Sequence, residues 1–264
     1  MSATKELTVG NPLPLIIKFA LPLLLGNMLQ QTYSMVDAAI VGRTLGINAL
    51  AAVGASTSVV FLILGFCNGC CGGFAIPIAQ KFGARDYSVM RSYIHNAFKL
   101  AWIMSLLLAV ITSLLCGFIL HTMRTPDIIY DGAYAYLLAT FIGIPATFFY
   151  NLLSCVIRAL GDSKTPFWFL LLASILNIGL DLLFILTFQW GVTGAAVATV
   201  LSQAVSAILC YMYMQRKYDI LQSTPAERCL NARAIRTLLG VGVPMGLQFS
   251  ICLLYTSPSP RDTR

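Results

Sequence analysis

The chain reads as a succession of long apolar stretches separated by short polar segments. Six stretches, at roughly 13–40, 51–80, 96–120, 131–157, 166–189 and 193–214, each reach the about 20 mostly apolar residues that a membrane-spanning helix needs. A seventh begins near Leu238. Runs such as Leu106–Leu115 and Phe167–Leu176 are unbroken rather than alternating. A transmembrane barrel would show short segments of alternating polarity, so helices are predicted. The expected fold class is an all-α polytopic membrane protein: one six-helix transmembrane bundle plus the start of a seventh helix.

Composition sharpens this picture. The 264 residues are 58% hydrophobic and 10% charged, against about 45–50% and about 25% in an ordinary soluble domain. The mean hydropathy is +0.81. The first twelve residues are polar and the first apolar stretch is too long for a signal-peptide core, so no cleavable leader is expected.

Charge supplies an orientation. Thirteen of the 17 basic residues fall in segments on one side of the alternating spans. They are Lys5, Lys18, Lys81, Arg85, Arg91, Lys99, Arg158, Lys164, Arg216, Lys217, Arg228, Arg233 and Arg236. Only Arg43 and Arg124 fall on the other side. Lysine and arginine are enriched in cytoplasmic loops, so the N-terminus is expected in the cytoplasm of a multi-pass inner-membrane protein. The net charge of +7 is then accounted for by orientation and by the anionic lipid surface, without a nucleic-acid partner.

A weak repeat suggests a second unit. Ile17–Leu25 (IKFALPLLL) and Leu239–Leu247 (LGVGVPMGL) both follow a basic segment, and Pro22 falls on Pro244. The expected division is a six-helix bundle over 1–215, a cytoplasmic linker over 216–237 and the first part of helix 7 over 238–252. The polar end, 253–264, is expected to be non-native. A complete pseudo-symmetric protein would then have about 440 residues and twelve helices, so a C-terminal six-helix half is the expected partner.

The acidic residues carry the candidate chemistry. Only Asp37 and Asp181 lie within spans. A carboxylate at mid-helix in a bilayer costs at least about 2.5–3.5 kcal/mol, so such residues usually face a cavity and serve ions, protons or substrate. Asn177 and Asp181 are spaced i,i+4 on one face of the fifth span. Gln30, Tyr33, Ser34 and Asp37 follow i, i+3, i+4, i+7 on the first, which predicts one stripe lining a water-filled cavity. Thr199 lies in the outer half of the sixth span. Asp37, Asn177, Asp181 and Thr199 are therefore expected to meet at similar depth. Two carboxylates, an amide oxygen and a hydroxyl form a hard-oxygen set suited to Na+. Two nearby carboxylates also disfavour one another's charge, so one of them can hold a proton instead.

Other positions have plainer readings. Pro22 is expected to bend the first span. Arg158–Pro166 (RALGDSKTP) reads as a tight loop of solvated charges or as a gating or salt-bridge element. His95 and His121 read as interfacial. Cys67, Cys70 and Cys71 read as small packing residues beside Gly69, Gly72 and Gly73 rather than as metal ligands.

Several blocks together resemble the multidrug and toxic compound extrusion (MATE) family. They are ALPLLLGNMLQQTYSMVDAAIVGRTLGINALAAVG (20–54), AQKFGARD (79–86), IRALGDSKTP (157–166), LNIGLDLLFI (176–185) and GVTGAAVATVLSQ (191–203). The resemblance implies two six-helix bundles with alternating access, exporting organic cations or drug-like molecules in exchange for H+ or Na+, with no other cofactor and no enzymatic reaction. It implies cation binding at Asp37, Asn177, Asp181 and Thr199, cavity roles for Gln30, Tyr33 and Asn151, and a bending proline at Pro22. A lipid-linked oligosaccharide flippase of the same superfamily is the nearest rival. Its cavity would carry basic residues, and no lysine or arginine lies clearly within a span. An intramembrane aspartyl protease would want a Gly-x-Gly-Asp signature, which neither Asp162 nor Asp181 carries.

Overall fold

Each apolar stretch folds as helix. The computed structural model describes residues 12–221 and 229–256. Lys5, Glu6, Glu227, Arg228 and the expected tail from residue 257 onward lie outside the described residues. The elements are α1 (Pro12–Leu45), α2 (Ile47–Gly83), α3 (Tyr87–Thr122), α4 (Asp127–Ile142), α5 (Ile144–Ala159), α6 (Lys164–Leu182), α7 (Gly191–Lys217) and α8 (Ala232–Thr256). A π-helical turn, Leu183–Thr187, extends α6, and a 3-10 turn, Asp219–Leu221, follows α7. Among the described residues, six helices are long and apolar enough to cross a membrane, and α4 with α5 taken as one bent span makes a seventh.

The helices outrun the apolar windows that predict them, because their last turns are interfacial and polar. Lys81, Arg91, Arg216 and Arg233 all lie inside helices. For the same reason α8 starts ahead of Leu238 and runs past Cys252. Its first turn is fixed by Asn231, whose Oδ1 accepts from the backbone of Arg233 (3.0 Å) and Ala234 (3.3 Å). The buried Asn96 of α3 then accepts from the Asn231 backbone at 3.1 Å and ties that turn to the bundle.

Helix stops on both ends use one device. After α2, α3 and α5 the chain enters the left-handed region at Arg85 (φ 58°), Arg124 (φ 52°) and Gly161 (φ 84°). In each case the next amide reaches back five residues: Asp86 to Lys81, Thr125 to Leu120 and Asp162 to Ile157. These Schellman stops satisfy terminal carbonyls that lipid cannot hydrate.

The fourth span departs from the expected single helix over 131–157. It breaks at Gly143, and α4 and α5 meet at 48°. Pro145 has no N–H to continue the helix ladder. Gly143 packs under Val200 of α7, and a Cβ there would overlap the valine side chain. The bent span is the hub of the core: Leu137, Phe141, Ile144, Phe148, Leu152 and Ile157 are all fully buried. By contrast, α1 is continuous through Pro22.

A glycine seam joins α8 to α2. A Cβ on Gly69 would lie 2.6 Å from the Met245 carbonyl, and one on Gly73 would lie 2.5 Å from Gly242 Cα. Gly69 and Gly73 are one turn apart, as are Gly242 and Gly246, so each helix presents a GxxxG face. Small residues let membrane helices gain dispersion contacts over a long stretch, since lipid gives no hydrophobic drive. Cys70 packs against Gly246, and the Ser250 hydroxyl donates to the Leu62 carbonyl at 2.9 Å.

The basic residues among those described segregate as the sequence predicts. Lys18, Arg158, Lys164, Arg216, Lys217, Arg233 and the α2–α3 turn share one end of the bundle, called the basic end below. Arg43 and Arg124 mark the other. There the α6–α7 turn carries Phe184 stacked on Trp190 at 5.0 Å, with Phe188 5.7 Å from the same ring.

A candidate cation site

The α6–α7 hairpin sets the first half of the site. Its short turn places the end of α6 against the beginning of α7, so Asn177 and Asp181 face Thr199. The Asn177 amide is satisfied when its nitrogen faces the carboxylate: Nδ2 donates to Asp181 Oδ2 at 3.0 Å, and Oδ1 lies 3.1 Å from the Thr199 hydroxyl. That hydroxyl is also 3.1 Å from the Ala195 carbonyl, so its single proton serves one of two acceptors. Asn177 and Asp181 are wholly buried.

Helix α1 closes the site. It brings Asp37 close to Asp181, and Tyr33 close to Thr199. Asp37 Oδ1 and Asp181 Oδ1 are both buried and accept no hydrogen bond from the described residues. A buried carboxylate oxygen without a donor is costly, and a second carboxylate nearby adds to the cost. Tyr136 of α4 forms another wall, close enough to feel the charges of Asp37 and Asp181. Sequence patterning does not single out Tyr136, because tyrosine is ordinary in membrane spans.

The other cavity residues predicted from sequence lie elsewhere. Gln30 and Asn151, with Pro22, line a separate space of about 70 Å³ between α1, α5 and α6. Asn151 Nδ2 donates to the Thr147 carbonyl at 2.9 Å. The single polar stripe expected on the first span divides. Tyr33 and Asp37 turn toward the cation site, while Ser34 is exposed and donates to the Gln30 carbonyl at 3.0 Å. Residues spaced i to i+7 cover a broad arc of helix surface, wider than one cavity. Arg158 also lines the smaller space, from the last turn of α5. Its Nε donates to the Ser154 carbonyl at 3.1 Å.

The α5–α6 turn is anchored rather than loosely solvated. Asp162 Oδ1 accepts from the backbone of Lys164 (3.0 Å) and Thr165 (3.1 Å). Its Oδ2 accepts from the Thr165 hydroxyl (2.7 Å) and from Tyr218 (2.8 Å), with Lys217 Nζ at 3.6 Å. Burial pushes the Asp162 carboxyl up. The Thr165 hydroxyl and backbone, Tyr218 and the Lys217 charge outweigh it and hold the group below its usual value. Asp162 thus caps α6 and pins the end of α7.

Comparison with known proteins bears on the family and the fold. The MatE family model matches residues 22–183. The probable multidrug resistance protein YpnP of Bacillus subtilis is 34% identical over 93% of the chain, which covers 55% of that relative. The probable multidrug resistance protein NorM of Thermotoga maritima is 31% identical over 76% of the chain, covering 44% of it. An outward-facing multidrug resistance MATE transporter structure superimposes with a TM-score of 0.86 at 26% identity, over 94% of this chain and 56% of that one. A MOP superfamily transporter from Pyrococcus furiosus gives 0.87 at the same identity and coverage. The chain therefore spans about half the length of the relatives it matches. By its sequence and its fold, the chain belongs to the MATE family, whose members are membrane transporters and not enzymes.

Proposed function

We propose that the chain forms the cation-coupling lobe of an exporter that exchanges organic cations or other drug-like molecules for H+ or Na+ by alternating access. The observation that carries this reading is the carboxylate pair of Asp181, wholly buried, and Asp37, half-buried, with the Oδ1 of each lacking a donor among the described residues. Two carboxylates in contact repel strongly in a low-dielectric interior, and a bound cation or proton relieves that repulsion. The carboxylates, the Asn177 amide oxygen and the Thr199 hydroxyl are hard donors that suit Na+. A cationic substrate would compete for the same charge. The names of the relatives, multidrug resistance and export proteins, support a drug-like substrate.

In this reading the N-terminus and the basic end face the cytoplasm of an inner-membrane protein, following the positive-inside rule. A second six-helix half completes the pathway. Arg158 is the feature that an oligosaccharide flippase would use. One arginine tied to the Ser154 carbonyl, lining a different space from Asp37 and Asp181, is a poor cradle for pyrophosphate, which supports the antiporter.

The test is transport by everted vesicles carrying this chain fused to the second half of the Bacillus relative. Wild type is expected to accumulate a fluorescent organic cation when a H+ or Na+ gradient is imposed. Asp37→Asn and Asp181→Asn, expressed at normal level, are each expected to lose coupled uptake. Undiminished coupled uptake in both variants would rule out the proposed coupling site.

A further inference from the structure

The α4–α5 break shapes a second site on a different face of the bundle. Just past the bend, residues of α3, α5 and α7 line a groove of about 570 Å³. Small residues, Ala146, Ala204 and Ala207, form its floor. Its wall is aromatic: Phe149 lies 4.6 Å from Trp102 and 5.7 Å from Phe98, ring centre to ring centre. Trp102 and Ile208 on its rim are 50% and 60% exposed, so the groove opens sideways, toward the acyl chains of a bilayer.

Its polarity is one-ended. Arg91 and His95 lie one turn apart at the start of α3, with Gln215 opposite on α7. Arg91 Nη1 donates to the Ile220 carbonyl at 3.3 Å, which holds the guanidinium at the mouth. From Arg91 to Trp102 the groove follows α3 for about 16 Å at about 1.5 Å per residue. Half of the about 30 Å hydrocarbon core of a bilayer is close to that length. A cationic head at the interface and an apolar slot one monolayer deep match a molecule with an anionic head and an acyl tail. An arginine fork suits phosphate oxygens in particular.

We propose that this groove holds one anionic phospholipid from the leaflet at the basic end. Its phosphate sits at Arg91 and His95, and one acyl chain lies along Phe98, Trp102 and Phe149. The cation site is built from α1, α4, α6 and α7 and shares no side chain with the groove, so this site stands whether or not the coupling proposal holds.

Native mass spectrometry of the full chain in mild detergent tests it, using equal amounts of dioleoylphosphatidylglycerol and dioleoylphosphatidylcholine. The glycerol lipid is expected to be retained about fivefold or more over the choline lipid. Arg91→Gln with His95→Gln should abolish that preference. Ala204→Phe, which fills the groove and keeps both head-group contacts, should lose the bound lipid. Arg124→Gln, at the other end, should leave retention unchanged. Equal retention of the two lipids by the unsubstituted chain would overturn the site. So would a preference that survives either groove variant at wild-type helix content, or dimers or an uncharged apolar dye taking the place of lipid.

Discussion

Asp162 precedes α6 and Asp181 lies in its last turn, and their neighbours give them opposite work. Asp162 receives hydrogen bonds from Lys164, Thr165 and Tyr218 and sits beside Lys217. Its carboxyl lies lower in the folded chain than in the unfolded one, so its stabilising contribution is complete above the ordinary carboxylate range and fades as pH falls through the folded value. Thermal unfolding in detergent is expected to show wild type more stable than Asp162→Asn above about pH 5, with the gap closing below about pH 4. A gap independent of pH would mean that the carboxylate charge is not what anchors the turn. Among the described residues Asp181 accepts one hydrogen bond, from Asn177, and has a second carboxylate, Asp37, close by. That asymmetry is legible in the sequence only in part. Asp37, Asn177, Asp181 and Thr199 stand out because polar groups are expensive in a span. The Asp162–Tyr218 bond is not legible, because 56 residues separate its partners and each alone looks like an ordinary interfacial side chain.

At the level of elements, apolar length locates the spans, and local backbone geometry escapes it. A hydropathy window averages over Gly143 and Pro145, so the 48° break is invisible although both residues that cause it are in plain view. The π turn after α6 is invisible too: Leu183–Thr187 has no distinctive composition, and Phe188 simply bonds back five residues to Leu183. The glycines of α2 and α8 sort by what lies opposite. Gly73→Leu is expected to force the seam apart and lower stability by about 1–3 kcal/mol. Gly240→Ala, at a position with nothing within 4 Å of the added carbon, is expected to raise it by up to about 1 kcal/mol. Unfolding of both variants in one detergent would test the pair, and similar shifts would deny the seam its role.

Over the whole molecule, the two ends and the two aspartates make further predictions. Cys229 is exposed and precedes α8 at the basic end. A membrane-impermeant maleimide is expected to label it in everted vesicles and not in intact cells; the reverse pattern would invert the orientation. Because Asp37 and Asp181 lie close together, they should behave as one unit. Asp37→Asn with Asp181→Asn is expected to reduce coupled uptake no further than either substitution alone. Multiplying losses in the same vesicle assay would indicate two independent sites.

The seam between α2 and α8 also has a consequence in time. The residues it joins are far apart in the chain, with Ser250 reaching Leu62 across 188 positions. A ribosome adding about 5–20 residues per second takes roughly ten to forty seconds to cover that distance. Throughout that interval α2 stands in the membrane with its glycine face bare. The newborn bundle therefore passes through a long-lived stage in which lipid, or a factor that shelters nascent spans, occupies the face that α8 will later claim.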